Sequence, residues 1–161
     1  MKKVVKFGGS SLANAKQFKK VADIIKADKS RRYVVPSAPG KRNDKDEKVT
    51  DMLYACYDAV AEGRSYKKIL DKIKERYNEI IDGLDLNLNL DHEFDKIEEN
   101  FFAKAGRDYA ASRGEYLNGI VMANYLGFPF VDSAEVIRFD KHGEFDADTT
   151  NKLMEKKLAE L

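Results

Sequence analysis

The sequence has little of what usually marks a site. A single cysteine, Cys56, excludes an internal disulfide, and its place in a helical run predicts a buried thiol. Only two histidines occur. His92 opens a helix and His142 sits beside Gly143 in a turn, neither near a Cys/His cluster, so both read as surface residues and no metal site is assigned. Charge of one sign is absent as well. The 29 basic and 28 acidic side chains leave +1, which excludes the broad field used to hold nucleic acid or a membrane surface. No apolar run approaches the ~20 residues of a membrane span. Lys2-Lys3 is followed by only two apolar residues before Lys6, too few for a secretory signal, so a cytoplasmic protein is expected. Neither G-x-G-x-x-G nor G-x-x-x-x-G-K-[ST] is present, nor any internal repeat. What is present, 161 residues of which 43% are hydrophobic, suffices for one sizeable core and suggests one domain.

The informative stretch lies near the start, Val4-Val5-Lys6-Phe7-Gly8-Gly9-Ser10-Ser11. Apolar residues alternate with lysine as in a buried strand, then two glycines and two hydroxyls open into a helix pattern. Backbone amides bared at a strand end make an anion cradle. Paired glycines permit a positive-φ turn and a close phosphate, and Lys6 adds a compact charge. The competing reading is a plain strand-to-helix turn with a surface lysine.

Asn14 with Gln17 fits a capping box, and Leu12, Phe18, Val21, Ala22 and Ile25 form a helical stripe. A second buried strand, Tyr33-Val34-Val35, is expected to end at Pro36. Ser37-Ala38-Pro39-Gly40 follows, and then Lys41 to Lys48, a loop with four basic and three acidic side chains. Such loops are commonly just solvated. If the two strands are parallel, however, this one leaves the same strand end as the glycine turn, where ligands of open α/β sheets bind. Thr50 reads as the N-cap of a helix bearing Met52, Leu53, Cys56, Tyr57 and Val60. Residues 65–112 read as a helical insertion. One helix carries Ile69, Leu70, Ile73, Tyr77, Ile80 and Ile81, another carries Phe94, Ile97, Phe101, Ala105 and Tyr109, with Leu84–Leu90 as connector and the aromatic stripe as core. Ser112-Arg113-Gly114-Glu115 breaks the pattern before the stripe Leu117, Ile120, Val121 and Leu126. Arg113 and Glu115 would form a surface ion pair or hold an amino-acid zwitterion. Phe128–Asp132 is read as a third strand, Val136–Phe139 as a short fourth, residues 140–146 as a turn or hairpin, and Thr149 as the cap of a last helix.

Four motifs in order, Lys6-Phe-Gly-Gly-Ser-Ser11, Ser37-Ala-Pro-Gly40, Val49-Thr-Asp-Met-Leu53 and Ser112-Arg-Gly-Glu115, resemble those of aspartate kinases, within the amino-acid kinase superfamily. The resemblance runs on through Val131-Asp-Ser-Ala-Glu135 and so covers essentially the whole chain. It implies an α/β fold, a mostly parallel sheet with helices on both faces and a helical insertion. The implied reaction moves the ATP γ-phosphate to the β-carboxylate of L-aspartate, the first step toward lysine, threonine and methionine. ATP with its Mg²⁺ would be the cofactor and a homo-oligomer the full-length state, with no nucleic-acid or membrane partner. Residue by residue, the resemblance makes Lys6 catalytic, neutralising the transferring phosphate, and assigns phosphate binding to Lys6, Gly8, Gly9 and Ser10. Ser37, Thr50 and Glu115 would hold aspartate, Glu115 facing its ammonium group.

Departures from the family pattern are Pro36 in place of an aliphatic residue, the long 41–48 loop, and Asn118 where serine is common. The family's second glycine-rich motif, Gly-Arg-Gly-Gly-Ser-Asp, and its C-terminal ACT region do not occur in this sequence. The chain is accordingly expected to be the N-terminal part of a catalytic domain, an incomplete fold that does not phosphorylate aspartate by itself. Alternatives are another amino-acid kinase, acting on glutamate or a carbamate, or a non-catalytic anion-binding or regulatory module.

Overall fold

The computed structural model describes all 161 residues and divides them into two compact units, Met1–Gly127 and Phe128–Leu161. In the first, β1 (Lys3–Phe7) runs into a 3-10 turn (Gly9–Leu12) and α1 (Ala15–Lys26), followed by β2 (Arg31–Pro36). The strands pair in parallel, Val5 opposite Val34 and Phe7 opposite Pro36, so both chain segments leave the sheet at one end. Four helices follow: α2 (Val49–Ala61), α3 (Lys67–Gly83), α4 (Asp91–Phe102) and α5 (Arg107–Leu126). The second unit holds a one-turn α6 (Ser133–Val136), an isolated antiparallel bridge between Phe139 and Phe145, and α7 (Ala147–Ala159).

The helices follow their apolar stripes. The α1 cap is as expected, with Asn14 Oδ1 accepting from the Gln17 amide at 3.0 Å. Phe18, Val21 and Ile25 of α1 enter one core with Leu53 and Cys56 of α2, Ile73, Tyr77 and Ile80 of α3, Phe94, Ile97 and Phe101 of α4, and Leu117 and Val121 of α5. The aromatic stripe is therefore core, its rings meeting edge to face: Tyr77 with Phe94 at 6.0 Å and Tyr57 with Phe101 at 5.3 Å. Each such side chain contributes ~1.5–3 kcal/mol by leaving water.

Several sequence expectations need correction. The strands are not buried on both faces: Val5, Phe7 and Val34 pack on the core, but Val4 and Val35 remain 68% and 47% exposed. Phe128–Asp132 forms no strand and the sheet has two strands only. Pro129 has no amide to give a ladder, and no neighbour strand accepts the rest. The short fourth strand reduces to the Phe139–Phe145 bridge, around a turn at Gly143. Thr149 is not a cap; Asp146 is, accepting from the Thr149 amide at 3.0 Å, and Thr149 lies inside α7. Nor does Thr50 cap α2. Lys48 holds that position without a side-chain bond, leaving Thr50 in the first turn.

The helix boundaries in 94–126 also move. The stripe expected to run from Phe94 to Tyr109 breaks at Lys104 (φ 57°) and Gly106 (φ 105°), a left-handed excursion that glycine tolerates best. Ser112–Glu115, expected to break a helix, lies in the middle of α5. Gly114 is there for space: a Cβ on it would meet the Ala38 Cβ at 2.7 Å and Leu53 Cδ1 at 3.4 Å. Gly114→Ala should therefore destabilise the first unit by about 1–3 kcal/mol through overpacking, although alanine is the better helix former. Urea unfolding reads this directly. A midpoint at or above that of the wild type would refute the close approach.

Candidate active site

Two segments leave the parallel strands side by side and lock together through their backbones. The Ser37 amide donates to Phe7 O at 3.0 Å and the Gly40 amide to Gly9 O at 2.8 Å. The fit is too close for side chains. A Cβ on Gly40 would lie 2.6 Å from the carbonyl carbon of Gly9, and one on Gly9 would lie 3.0 Å from Ala38 O. Neither Gly8 (φ −77°) nor Gly9 uses a positive φ, so the expected reason for the glycine pair is replaced by another, the close passage of a second backbone at Gly9.

Beside this contact opens a cavity of about 450 Å³. Gly9 and Ser10 of the 3-10 turn and residues 37–41 after β2 form one wall. Lys48 and Thr50 come from the start of α2, Glu115 from α5. Five of the seven candidate residues read from the sequence thus meet in one place: Gly9, Ser10, Ser37, Thr50 and Glu115. Lys6 and Gly8 do not line it. Val5 and Phe7 face the core, so strand alternation turns Lys6 to the other, exposed face of β1, and Gly8 is exposed just beyond the strand. Lys41 and Lys48, left in the sequence as part of a charged loop, do line the wall.

The placement of Glu115 follows from its neighbours. Gly114 brings α5 against Ala38, the Tyr77 hydroxyl donates to Gly114 O at 2.8 Å, and Asn118 Nδ2 donates to Ser37 O at 2.7 Å. Asn118, wholly buried, thereby ties the helix to the strand end. Arg113 does not join Glu115. Two residues away on a helix is roughly the opposite face, and its guanidinium stacks 4.7 and 4.4 Å from the ring centres of Tyr109 and Tyr116. The two-residue zwitterion clamp and the Arg113–Glu115 ion pair are both absent from the structure.

The 41–48 loop is more than a solvated run. Arg42 grips Asp46 with Nε at 2.7 Å and Nη2 at 3.0 Å and reaches Glu79 of α3 at 2.7 Å. Beneath it lies Arg76, only 3% exposed, a residue the sequence reading passed over. Its Nη1 donates to Glu47 O at 2.8 Å and stands 3.3 Å from the Asp46 carboxylate; Nη2 donates to Gly40 O at 2.6 Å and Ala13 O at 3.4 Å. Burial lowers the Arg76 pKa, opposed by Asp46. Hydrogen bonding from Arg42, with the charge of Arg76 adding to it, holds the Asp46 carboxyl far below the usual carboxylate range. A signal for Arg76 existed: it falls three residues after Ile73 and four before Ile80, on the apolar stripe of α3.

The amino acid kinase family model matches residues 1–159. The chain belongs to the amino acid kinase family. It is 38% identical over 118 residues to Aspartokinase 3 of Bacillus subtilis (strain 168), 73% of this chain and 25% of that protein. Its fold is similar to the crystal structure of Clostridium acetobutylicum aspartate kinase, with a TM-score of 0.93, 47% identity, and coverage of 96% of this chain and 36% of that one. It also resembles E. coli aspartokinase III solved with aspartate and ADP, with a TM-score of 0.77, 23% identity, and coverage of 96% and 37%, a likeness of fold. The chain therefore spans about a quarter to a third of the length of these relatives. No helix in it is long and apolar enough to cross a membrane.

Within this family member the depressed Asp46 pKa makes a pH prediction. A carboxylate whose folded pKa lies below its unfolded one stabilises the fold above about pH 4, and that contribution fades as the pH falls toward the folded value. Asp46→Asn should therefore lower the urea midpoint at pH 7 and lose that deficit progressively below about pH 4. A deficit equally large at pH 7 and at pH 2.5 would show that the charge of Asp46 is not what holds the loop.

Proposed function

We propose that the chain supplies the amino-acid side and the glycine turn of an aspartate kinase site, and that the full-length protein transfers the γ-phosphate of ATP to the β-carboxylate of L-aspartate. One observation carries this reading: Ser10, Ser37, Thr50 and Glu115, scattered over more than a hundred residues, line one cavity with two lysines at its wall. The 47% identity to a solved aspartate kinase supports it, as does the aspartate and ADP held by a relative of the same fold. An amino-acid dicarboxylate presents one cation and two anions. Glu115 answers the ammonium group, the Ser37 and Thr50 hydroxyls donate to carboxylate oxygens, and Lys41 and Lys48 make the wall positive where the rest of the ligand is negative.

The residue types suit the reaction. A carboxylate of pKa ~4 is already ionised at neutral pH, so transfer needs no general base and rests on alignment and neutralisation of charge. The Gly9–Gly40 contact keeps side chains away from the turn, which leaves backbone and the Ser10 hydroxyl to face a phosphate. Lys6, on the outward face of β1, would reach the transferring phosphate from beyond the strand end. Mg²⁺ bound to ATP supplies the remaining positive charge, and no protein ligand for it is assigned among these residues.

In the full-length protein, Lys6→Ala should lower kcat by about two orders of magnitude or more, as for loss of a charge that acts mainly in the transition state, with little change in aspartate affinity. Retention of more than about a tenth of the wild-type kcat would remove Lys6 from the chemistry.

Glu115→Gln keeps shape but loses charge, and should raise the aspartate KM with the ATP KM nearly unchanged; Thr50→Val should act in the same direction. Calorimetric titration of aspartate into both variants is the direct check. Unchanged affinity in both would sink the aspartate assignment. Turnover of glutamate or carbamate in preference to aspartate would move the protein elsewhere in the family.

A further inference from the structure

The Gly40 peptide forms part of the cavity wall and cannot be held by a side chain of its own, since any Cβ would collide with Gly9. Only its main-chain groups can fix it. Its amide is bound to Gly9 O, and its carbonyl to Arg76 Nη2 at 2.6 Å. The same guanidinium donates to Ala13 O, just past the 3-10 turn, and to Glu47 O, the residue before Lys48 of the wall. Arg76 itself does not line the cavity. It joins the three backbone segments that carry Ser10, Lys41 and Lys48, from behind.

We propose that Arg76 is a positioning residue for this cavity: by clamping Gly40, Ala13 and Glu47 at fixed spacing it sets how tightly the cavity holds its amino-acid ligand. The identity of that ligand as aspartate rests on the function proposed above; the clamp does not. A guanidinium is required because its two terminal nitrogens work in different directions. Nη2 serves Gly40 and Ala13, while Nη1 serves Glu47 and faces Asp46. A lysine has one nitrogen and cannot stand in both places. Asp46 is the second half of the device, since it is the carboxylate nearest a charge that is 97% withdrawn from solvent.

The test uses the full-length protein with Arg76→Lys, Asp46→Asn and the double variant. Tyr57→Phe serves as a control of buried hydrogen bonding, because the Tyr57 hydroxyl binds only the distant Gly106 amide at 3.0 Å. Arg76→Lys should raise the aspartate KM about tenfold, the scale of a lost charged hydrogen bond, with kcat within about threefold and the ATP KM within about twofold. Asp46→Asn should act likewise, and the double variant should fall short of the product of the two singles. Hydrogen exchange without any ligand should quicken across residues 40–48 in Arg76→Lys while α5 keeps its protection. Tyr57→Phe should lower Tm and leave the aspartate KM alone.

Unchanged exchange at 40–48 would overturn the clamp. Faster exchange with an unchanged aspartate KM would overturn its link to affinity, and so would a KM that rises in Tyr57→Phe as much as in Arg76→Lys. If the wild type turned over no aspartate, the proposed function would fall instead, and ligand-free exchange would still decide the clamp.

Discussion

The structure depends on one close contact, the passage of the Gly40 backbone over Gly9 at a distance that leaves no room for a side chain on Gly40 and only a tight one for any on Gly9. Parallel pairing of β1 and β2 brings the two segments to the same edge, but pairing alone ends at Phe7 and Pro36. The bond from the Gly40 amide to Gly9 O extends the order of the sheet beyond its last ladder rung, into chain with no regular structure of its own. Everything that lines the cavity is referred to that point. Ala38 is buried because it lies between the contact and α5, and α5 needs Gly114 because Ala38 is there. Three glycines far apart in sequence, Gly9, Gly40 and Gly114, are thus one packing solution. In each case the missing Cβ lets a neighbour approach, backbone at Gly9 and Gly40 and the Ala38 methyl at Gly114, and the gain is the position of the residue next door: Ser10, Lys41 and Glu115.

Holding such a junction with a buried arginine has a cost in desolvation, several kcal/mol for an ion taken out of water, which Coulomb attraction alone seldom returns. Arg76 recovers it through number. Its donors meet three carbonyls and lie near one carboxylate, and two of those carbonyls, on Ala13 and Gly40, belong to buried residues whose polar groups need a partner. The exchange is reciprocal: the arginine satisfies backbone that has no ladder, and the backbone solvates its two terminal nitrogens, while Nε is buried without a partner. An apolar residue at this place on α3 would fit the helix better and leave the loop carbonyls unsatisfied. The surface bridge from Arg42 to Glu79 adds little in comparison, since both partners are open to water.

What could be read in the sequence divides along these lines. Helical stripes, the Asn14 cap and the strand pair were legible, because each is set by residues close together in the chain. Of the residues that line the cavity, Gly9, Ser10, Ser37 and Thr50 lie at a strand end or a helix start, where such residue types stand out, whereas Glu115 lies in the middle of α5. What could not be read was set by the neighbour across space. Ser112–Glu115 looked like a helix break because glycine usually is one, and nothing local says that Ala38 stands opposite. The glycine pair looked like a positive-φ turn for the same reason. Phe128–Asp132 has strand composition, but a strand exists only where another strand accepts its hydrogen bonds, and the sheet of this chain offers two. Thr50 has the residue type of a cap but lies two residues past the cap position of α2, which leaves its hydroxyl free of that duty.

The position of Lys6 constrains how the proposed reaction can be laid out. The cavity, with Glu115, Ser37 and Thr50, lies beside the strand ends, whereas alternation along β1 sends Lys6 to the sheet's exposed face. One ligand pocket cannot use both. A reaction that joins two molecules can, because the transferring phosphate must lie between the carboxylate that attacks and the diphosphate that leaves. On the proposed reading the amino acid occupies the cavity, the phosphate chain passes the Gly8-Gly9-Ser10 turn, and Lys6 meets it from the far side. The turn is then the one place where both molecules touch the same backbone. On that reading the spacing between Gly9 and Gly40 bears on the alignment of the two reactants as well as on the affinity for either.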